Sequence, residues 1–528
     1  MTMTLSGGRR RAGIVSGLTL AMVLALSGTT RAEGPELVPV HMHPKLTRAA
    51  VDAAVAAIDR MATDEIARDT VPGMAIAVVF EGETVFAAGY GVREAGTDLA
   101  VDADTAFQLA SVSKPLGSTV IAALIGEGKI DWDTRVAEID PGFALSTPWI
   151  SDQVTIRDLY AHRSGLPDHS GDLLEDYGFS RDQVLHRLRD LTPSSSFRAG
   201  YAYTNFGLTE AAVAAAGAHG LSWEEASERF LYAPLGMTAT SSRFDAFWSR
   251  ENKALGHVKV DGKWVHKDQR QPDAQSPAGG ASSSVTDMAE WLKLILAKGE
   301  WQGKPLIPAD ALDEAHLPHM LTEPHSPFGY PGFYGLGWNV GWTPDGRSKL
   351  SHSGAFAMGA ATAISVYPDD GLAIVVLTNA APFGVPEALA ASFADIAFYG
   401  KPLEDWLPLY GALFQQMEDA EAGPDYGTPP ADPFPAAPRD GYLGRYANAY
   451  FGTVEIVAEG DGMAMLVGPG KLRLPLTHFD RDIFTWETIG ENAIGLSSVT
   501  FTLDKDRRAT GLVVGQWDQN GGGRFARQ

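Results

Sequence analysis

The chain has 528 residues, 45% of them hydrophobic and 20% charged, a globular composition with room for one large and one small domain. Its formal net charge of −23 would repel a phosphate backbone, so we expect no nucleic-acid partner. The absence of cysteine excludes disulfides, thiolate catalysis and cysteine-ligated zinc.

The first 32 residues have the pattern of an export signal. Three arginines at positions 9–11 precede an apolar run over 14–26, and Ala32 is a small residue suited to cleavage. The apolar run is too short for a membrane-spanning helix. The sequence therefore predicts a signal peptide over 1–32, a mature protein in the periplasm or outside the cell, and no stable membrane anchor after cleavage.

Residues 33–422 mix helical and strand patterns and form the predicted large domain. An amphipathic helix covers "LTRAAVDAAVAAIDRMATDEIAR", and "MAIAVVF" and "TVFAAGYGV" form a β-hairpin. His162 and His169 bracket "RSGLPD", which predicts a loop at the rim of a site. The histidines show no clustered set of ligands, so the sequence predicts no metal and no cofactor.

A serine and a lysine three residues apart begin a further helical segment, "SVSKPLGSTVIAALIGEGK". Pro115 lacks a backbone N–H and belongs in the first turn of a helix, which places the helix start near Ser111. Lys114 then lies on the same face as Ser111. A partly desolvated amine can act as the base for a serine nucleophile, although this spacing alone is also typical of an N-cap serine and a surface lysine.

Two later motifs offer matching chemistry. Tyr203 and Asn205 precede an alanine-rich helix; a tyrosine beside an ammonium loses its proton more readily, and an asparagine can fix a lysine or a substrate amide. His352 and Gly354 lie on the first of two or three strands predicted over 350–379. Adjacent strand residues point to opposite faces, so His352 is not expected to be a base for Ser353.

A proline-rich segment divides the chain. Residues 423–439 contain six prolines and few large apolar residues, which predicts an extended linker. Short alternating runs separated by turn residues follow over 440–528. That pattern predicts an all-β module, either a small barrel or a sandwich.

The ordered set Ser-x-x-Lys, Tyr-x-Asn and His-Ser-Gly resembles the motifs of the penicillin-binding and class C β-lactamase group of serine hydrolases. The segments "LYAHRSGLPDH", "YAPLGMTAT", "AGGASSSVTDMAEWLKL" and "YGLGW" look like further recurrent segments of that group, so the resemblance covers about residues 46–399. It implies an α+β fold with an antiparallel sheet, a helical region and the site between them. The C-terminal module resembles the lipocalin-like barrel of some peptidases of this group, and its alternative role is stability or oligomerisation.

The resemblance also implies roles for the site residues. Ser111 would be acylated, and Lys114 and Tyr203 would share the proton transfers, with the base left open between them. Asn205 would orient Lys114 and the substrate. The backbone N–H groups of Ser111 and Ala355 would form the oxyanion hole.

The histidine of the third motif bears on the substrate. Many β-lactamases have a lysine there, which attracts a β-lactam carboxylate, whereas His352 is mostly neutral near pH 7 and can still donate a hydrogen bond. In the family, this histidine is associated with D-specific peptidases and carboxypeptidases. We therefore predict an exported serine peptidase or amidohydrolase that forms an acyl-enzyme on small or D-residue-containing peptides.

Several alternatives stay open at this point. Peptidases that cut linearised microcystin are one resembling group, since an export signal and peptides with D-residues would suit that reaction. An esterase or a β-lactamase could use the same residues on an ester, a lactone or a β-lactam. A slow penicillin-binding sensor would also keep the motifs, and the oligomeric state is not predicted.

Overall fold

The computed structural model describes residues 43–324, 330–421, 423–518 and 521–528. The predicted signal peptide over 1–32 lies outside these ranges. Within them, no helix has both the length and the apolar character needed to cross a membrane.

The elements are numbered in chain order. The helices are α1 (Arg48–Ala67), α2 (Ser113–Gly126), α3 (Val136–Ile139), α4 (Pro148–Gln153), α5 (Ile156–Tyr160), α6 (Asp172–Asp176), α7 (Arg181–Arg187), α8 (Asn205–Ala218), α9 (Trp223–Ser227), α10 (Ala233–Leu235), α11 (Phe244–Trp248), α12 (Ser276–Gly279), α13 (Val285–Leu296), α14 (Ala309–Ala315), α15 (Val385–Tyr399) and α16 (Trp406–Glu421). The strands are β1 (Gly73–Phe80), β2 (Glu83–Gly91), β3 (Phe107–Gln108), β4 (Val258–Val260), β5 (Lys263–Val265), β6 (Ser282–Ser283), β7 (Glu300–Trp301), β8 (Lys304–Pro305), β9 (Met320–Glu323), β10 (Gly332–Tyr334), β11 (Asn339–Trp342), β12 (Ser348–Phe356), β13 (Ala360–Tyr367), β14 (Leu372–Thr378), β15 (Gly444–Asn448), β16 (Gly452–Glu459), β17 (Gly462–Val467), β18 (Leu472–Asp480), β19 (Ile483–Glu487), β20 (Leu496–Leu503), β21 (Ala509–Val514) and β22 (Arg524–Arg527).

In the described part of the chain, eight strands form an antiparallel sheet in the order β2-β1-β14-β13-β12-β11-β10-β9. The predicted helix α1, the hairpin β1–β2 and the strands β12 to β14 are confirmed. Strand β1 is buried along its whole length because both sheet faces are covered. Its alternate residues Met74 and Ile76 pack in one core with α1 and α15, and Ala75 and Ala77 pack in the core on the other face.

The second core belongs to a helical region that includes α2, α5, α8, α12 and α13. Helix α2 is buried from Ser113 to Leu124, in keeping with a helix that is apolar on nearly all sides. It contacts α8 and α12 of the helical region. The residues just before α2 contact β12, so the start of this helix lies between the helical region and the sheet.

A closed antiparallel barrel, β15 to β22, forms the C-terminal module within the described residues. Tyr446 of β15 pairs with Arg527 of β22 and closes the circle. Closure settles the choice between barrel and sandwich, and the predicted α+β class with a small all-β module is confirmed. The segment 423–438 that precedes it has no helix or strand among its described residues.

One apolar core continues from the helical region into the barrel. The ring of Tyr177, which directly follows α6, lies 4.9 Å from the ring of Trp517 and 6.3 Å from that of Trp486, both in the barrel. The Tyr177 hydroxyl donates to Oε1 of Gln516 over 3.0 Å. The barrel therefore packs directly on the helical region.

Candidate active site

A strained turn carries Ser111. The sequence places the start of α2 near this residue; in the structure α2 begins at Ser113, and Ser111 lies in a 3₁₀ turn over Ala110–Val112. Ala110 has a φ of 47°, in the left-handed region that alanine rarely adopts. The turn holds Ser111 at the N-terminal end of α2, where the helix dipole favours negative charge on its oxygen.

Gly354 lets strand β12 approach this turn. A Cβ atom at position 354 would lie 2.2 Å from the carbonyl oxygen of Leu109 and 3.0 Å from the amide nitrogen of Ser111. The Thr362 hydroxyl on β13 donates to the same Leu109 oxygen over 2.7 Å. Strand and turn are therefore fixed at a spacing that only glycine permits, with the amide of Ala355 one residue further along β12.

Lys114 is fully buried, and three oxygen atoms surround its amino group. Its Nζ lies 2.7 Å from Oδ1 of Asn205, 3.0 Å from the carbonyl oxygen of Ala278 and 3.1 Å from Oγ of Ser111. The two carbonyl oxygens can only accept, so they take two N–H groups. A charged Lys114 donates its third N–H to Oγ of Ser111, whereas in the neutral amine the lone pair faces the Ser111 hydroxyl. The same Oγ accepts from the Tyr203 hydroxyl over 2.8 Å.

Burial shifts the pKa values of Lys114 and Tyr203 in opposite directions. It lowers the pKa of Lys114 to about 7, against the opposing effect of the Asp172 charge. It raises the pKa of Tyr203 well above its usual value, although the hydrogen bond to Ser111 opposes this. Near pH 7, Lys114 is thus the group that can accept a proton, whereas Tyr203 retains its own.

A hydrogen-bond chain runs from Lys114 towards the surface. Nδ2 of Asn205 donates to Oδ2 of Asp172 over 2.8 Å, and Nδ1 of His169 donates to the same oxygen over 2.9 Å. Asp172 is the first residue of α6 and is 4% exposed, whereas the His169 side chain is half exposed. Because Asp172 fixes the amide nitrogen of Asn205, the amide oxygen faces Lys114.

The two histidines of the predicted rim loop have different surroundings. Partial burial disfavours the charged form of His169, but its hydrogen bond to Asp172 and the charge of that group raise its pKa to about 9. His162 is buried, and burial followed by the charge of Lys114 holds its pKa well below the usual value. The His162 ring lies 4.7 Å from that of Tyr203, so His162 supports the tyrosine while His169 lies at the rim.

His352 is buried, and both of its ring nitrogens are occupied. Nδ1 donates to the carbonyl oxygen of Ser353 over 2.6 Å, and Nε2 accepts from the Tyr334 hydroxyl over 2.9 Å. Burial, with a further effect of the Lys114 charge, lowers its pKa to about 3. With these partners in place, neither ring nitrogen of His352 is left to donate a hydrogen bond to a substrate. Ser353 lies on the opposite face of β12, where its hydroxyl bonds the Glu387 carboxyl group.

One side of β12 is open beside Ser111. Strand β13 pairs with β12 over 350–356, whereas β11 pairs with it only over 348–351. No other strand of the described residues pairs with 352–356 on that side. Ala355, which is exposed, lies in this stretch, so an extended chain could add there as a further strand.

The structure brings most of the predicted site together. The side chains in direct hydrogen-bond contact are Ser111, Lys114, Tyr203 and Asn205, with Gly354 and Ala355 of β12 beside them. Sequence reasoning missed Asp172, whose only signal is its position three residues after His169. Across the described residues, no group of three or more His, Cys, Asp or Glu side chains could hold a metal ion.

Two family profiles match the chain. The profile named Beta-lactamase matches residues 58–397, which include the whole site described above. A domain of unknown function, DUF3471, matches residues 428–521 and therefore most of the barrel.

Individual relatives match about 70% of the chain. The unguisins hydrolase ungD′ of Aspergillus campestris is 28% identical over 397 residues, which are 72% of this chain and 73% of that protein. Penicillin-binding protein 4 of Amycolatopsis lactamdurans is 27% identical over 384 residues, 69% of this chain and 90% of that protein. The octameric penicillin-binding protein homologue from Pyrococcus abyssi has a similar fold, with a TM-score of 0.59 and 20% identity over 90% of this chain and 100% of that one.

Proposed function

The chain belongs to the Beta-lactamase family of serine hydrolases, and on that premise we propose that it is a peptidase or amidohydrolase that forms an acyl-enzyme on Ser111. The contact set of Lys114 carries the proposal. Two acceptor oxygens take its N–H groups, which leaves its lone pair for Oγ of Ser111 at 3.1 Å. That is the geometry of a base beside its nucleophile.

Acylation follows from this arrangement. Lys114 takes the hydroxyl proton of Ser111 as Oγ attacks the substrate carbonyl carbon. The leaving amine receives one proton from the coupled pair of Tyr203 and Lys114, with the Tyr203 hydroxyl as the nearer donor to the reacting oxygen. In deacylation a water molecule takes the place of the amine and attacks the acyl carbon while the same pair removes its proton. The bond between the acyl carbon and Oγ of Ser111 then breaks, and the pair returns that proton to Oγ.

The developing oxyanion lies between two backbone amides. The amide of Ser111 is within 3.0 Å of the position that a Cβ on Gly354 would occupy, and the amide of Ala355 follows on the same strand. Two N–H donors in this arrangement stabilise the tetrahedral intermediate. Their spacing depends on the strained turn at Ala110 and on the missing side chain at Gly354.

A peptide-like substrate suits this cleft better than an anionic β-lactam. The open side of β12 over 352–356 can pair with an extended backbone, which favours amides of small peptides. The position at which many β-lactamases have a cationic lysine is here a neutral, buried His352, so it offers no charge to a β-lactam carboxylate. The similarity to an unguisins hydrolase adds that compound to the candidate substrates, beside linearised microcystin and other peptides with D-residues.

Ser111→Ala tests the nucleophile. The wild-type chain should react stoichiometrically with a fluorophosphonate probe, with the adduct on the peptide that contains Ser111, and the variant should show no adduct by mass spectrometry. Ser113→Ala, two residues away and outside the hydrogen-bond network of Lys114, is the matched control and should label normally. Labelling of the Ser111→Ala variant would refute the mechanism.

A substrate panel tests the reaction class. D-aminoacyl amides, linearised microcystin and an unguisin should be hydrolysed with higher kcat/KM than short p-nitrophenyl esters of matched acyl groups. Turnover of the esters alone would identify an esterase instead. A penicillin adduct on Ser111 that persists without turnover would identify a slow sensor.

The proposal includes export through the signal peptide predicted over 1–32. Expression of the full chain in a Gram-negative host should give a periplasmic or secreted product whose N-terminus follows Ala32. N-terminal sequencing of that product is the measurement, and an intact N-terminus on a cytoplasmic product would contradict export.

A further inference from the structure

One loop of the barrel reaches the catalytic half of the molecule. It connects β19 to β20 over residues 488–495 and is here called the 488–495 loop. Thr488 closes its base, because its hydroxyl donates to the carbonyl oxygen of Gly495 over 2.7 Å and accepts from the amide of Ile494 over 2.8 Å. The loop therefore holds its shape through its own hydrogen bonds.

The loop places a carboxylate at the end of β12. The Glu491 side chain accepts from the backbone amide of Ala357 over 2.5 Å and from that of Met358 over 3.4 Å. These residues directly follow β12, and Ala357 is two positions after Ala355. Two consecutive amides at the end of the strand are thus bonded to a side chain from the barrel instead of to another strand.

The same loop is anchored on α6. Oδ1 of Asp176 accepts from the amide of Glu491 over 3.0 Å, and Oδ2 accepts from the amide of Asn492 over 3.1 Å and from its Nδ2 over 2.7 Å. Burial raises the pKa of Glu491 to about 7, although the charge of the buried Arg270, which pairs with Asp176 over 2.9 Å, opposes this rise. Helix α6 begins with Asp172, the residue that orients Asn205. The 488–495 loop thus contacts both this helix and the end of β12, the strand that carries Ala355.

We propose that Glu491 is a positioning residue that the barrel supplies to the active site: its carboxylate fixes the turn after β12 and thereby aims the amide of Ala355 at the reacting carbonyl. The two amides donate to the two oxygens of the carboxyl group, an arrangement that needs its ionised form, and an ionised acceptor holds them more firmly than water would. The remaining side of β12 over 352–356 is open, so this contact limits movement of the strand where the oxyanion forms. The inference rests on the proposed acylation of Ser111.

The rival explanation is that Glu491 only docks the barrel. Two variants of neighbouring residues separate these roles. Glu491→Ala removes the contact with β12 and leaves the backbone contacts with Asp176 in place. Asn492→Ala removes the side-chain bond of 2.7 Å to Asp176 and a long one of 3.5 Å to the carbonyl oxygen of Asp172, both docking contacts on α6, and leaves the carboxylate of Glu491 in place. Glu491→Gln keeps the size of the side chain and one acceptor oxygen.

The experiment uses the full chain and measures the second-order rate of Ser111 labelling by a fluorophosphonate, kcat and KM for a p-nitrophenyl ester, and the melting temperature. Loss of one oxyanion donor costs roughly a hundred- to a thousand-fold in rate, so its partial displacement in Glu491→Ala should slow labelling by about 10- to 100-fold, mostly in kcat. Glu491→Gln should lie between this variant and the wild type. Asn492→Ala should lower the melting temperature. Its labelling rate should change by less than about threefold, as expected for a substitution that does not touch the reacting groups.

Four results would overturn the inference. Wild-type labelling rates in Glu491→Ala, or equal losses in Glu491→Ala and Asn492→Ala, would reduce the contact to docking. Loss of the folded state in both Glu491 variants, seen by circular dichroism, would make it a folding contact. A wild-type chain that the probe does not label would overturn the proposed function and this inference with it, whereas a labelled wild type and a fast Glu491→Ala variant would overturn the inference alone.

Discussion

Replacing Asp172 by asparagine should lower the pH at which Ser111 becomes reactive. The asparagine has the same size and can still accept the Asn205 N–H, but it lacks the negative charge that raises the pKa of Lys114. Ser111 reacts when Lys114 is neutral, so its reactivity rises with pH through the Lys114 pKa of about 7. Without the Asp172 charge this pKa falls, and the rise occurs at lower pH.

The structure sets the size of the shift. Hydrogen bonds of 2.7 Å and 2.8 Å, joined through the one amide group of Asn205, connect Lys114 to Asp172. Opposite charges roughly 6 Å apart at an effective dielectric constant of about 20 attract by roughly 3 kcal/mol, which corresponds to about two pH units. Screening at the half-exposed rim reduces this, so we expect a shift of about one to two units.

The rate of labelling by an uncharged fluorophosphonate, measured from pH 5 to 9, reports the base of the free enzyme without knowledge of the substrate. Asp168→Asn is the matched control, since Asp168 is an exposed carboxylate in the same loop and makes no bond to Asn205. Its profile should match that of the wild type. A midpoint in Asp172→Asn that is unchanged, or that moves to higher pH, would refute the assignment of Lys114 as the base.

Three further predictions concern the other site residues. Gly354→Ala should slow acylation by roughly a hundred-fold or more, because the added Cβ would force β12 away from Ser111. The rate of Ser111 labelling measures this, and circular dichroism checks that the variant is folded. A near-normal rate would contradict the close approach of β12 to Ser111. Tyr203→Phe should lower kcat on amides by roughly a hundred- to ten-thousand-fold, because the leaving amine needs a proton. Esters with a good leaving group should lose less activity. Equal losses on amides and esters would argue against proton donation by Tyr203 to the leaving group. His352→Ala should destabilise the fold by about 1–3 kcal/mol, since it leaves the Tyr334 hydroxyl without its partner. Denaturant unfolding gives the value, and a larger effect on KM than on stability would indicate a substrate role for His352.

The sequence predicts those parts of the site whose signals are local. Pro115 marks the beginning of a helix within two residues, and the spacing of Ser111 and Lys114 then puts both on one face. The strands around Gly354 follow from alternation and turn residues, which depend on nearest neighbours only. These elements are predictable because the covalent chain itself fixes the relation between the residues.

The other parts of the site depend on contacts between distant segments. That His352 is mostly neutral near pH 7 follows from the ordinary pKa of histidine. Its burial depends on a residue of another strand, Tyr334, whose hydroxyl bonds Nε2 of the ring. Asp172 lies in a helix of five residues with no motif around it, and its role appears only when Asn205 is next to it. Glu491 is more distant still, since a barrel loop has no periodic pattern to show what it will touch.

The apolar core around Tyr177 has a consequence for how the molecule unfolds. Its ring packs on Trp486 and Trp517, and its hydroxyl bonds Gln516, so a barrel that melted alone would expose the base of α6 to water. The two halves should therefore lose their structure in one cooperative calorimetric transition. Under heat or denaturant, hydrolytic activity should disappear at the midpoint of that single transition.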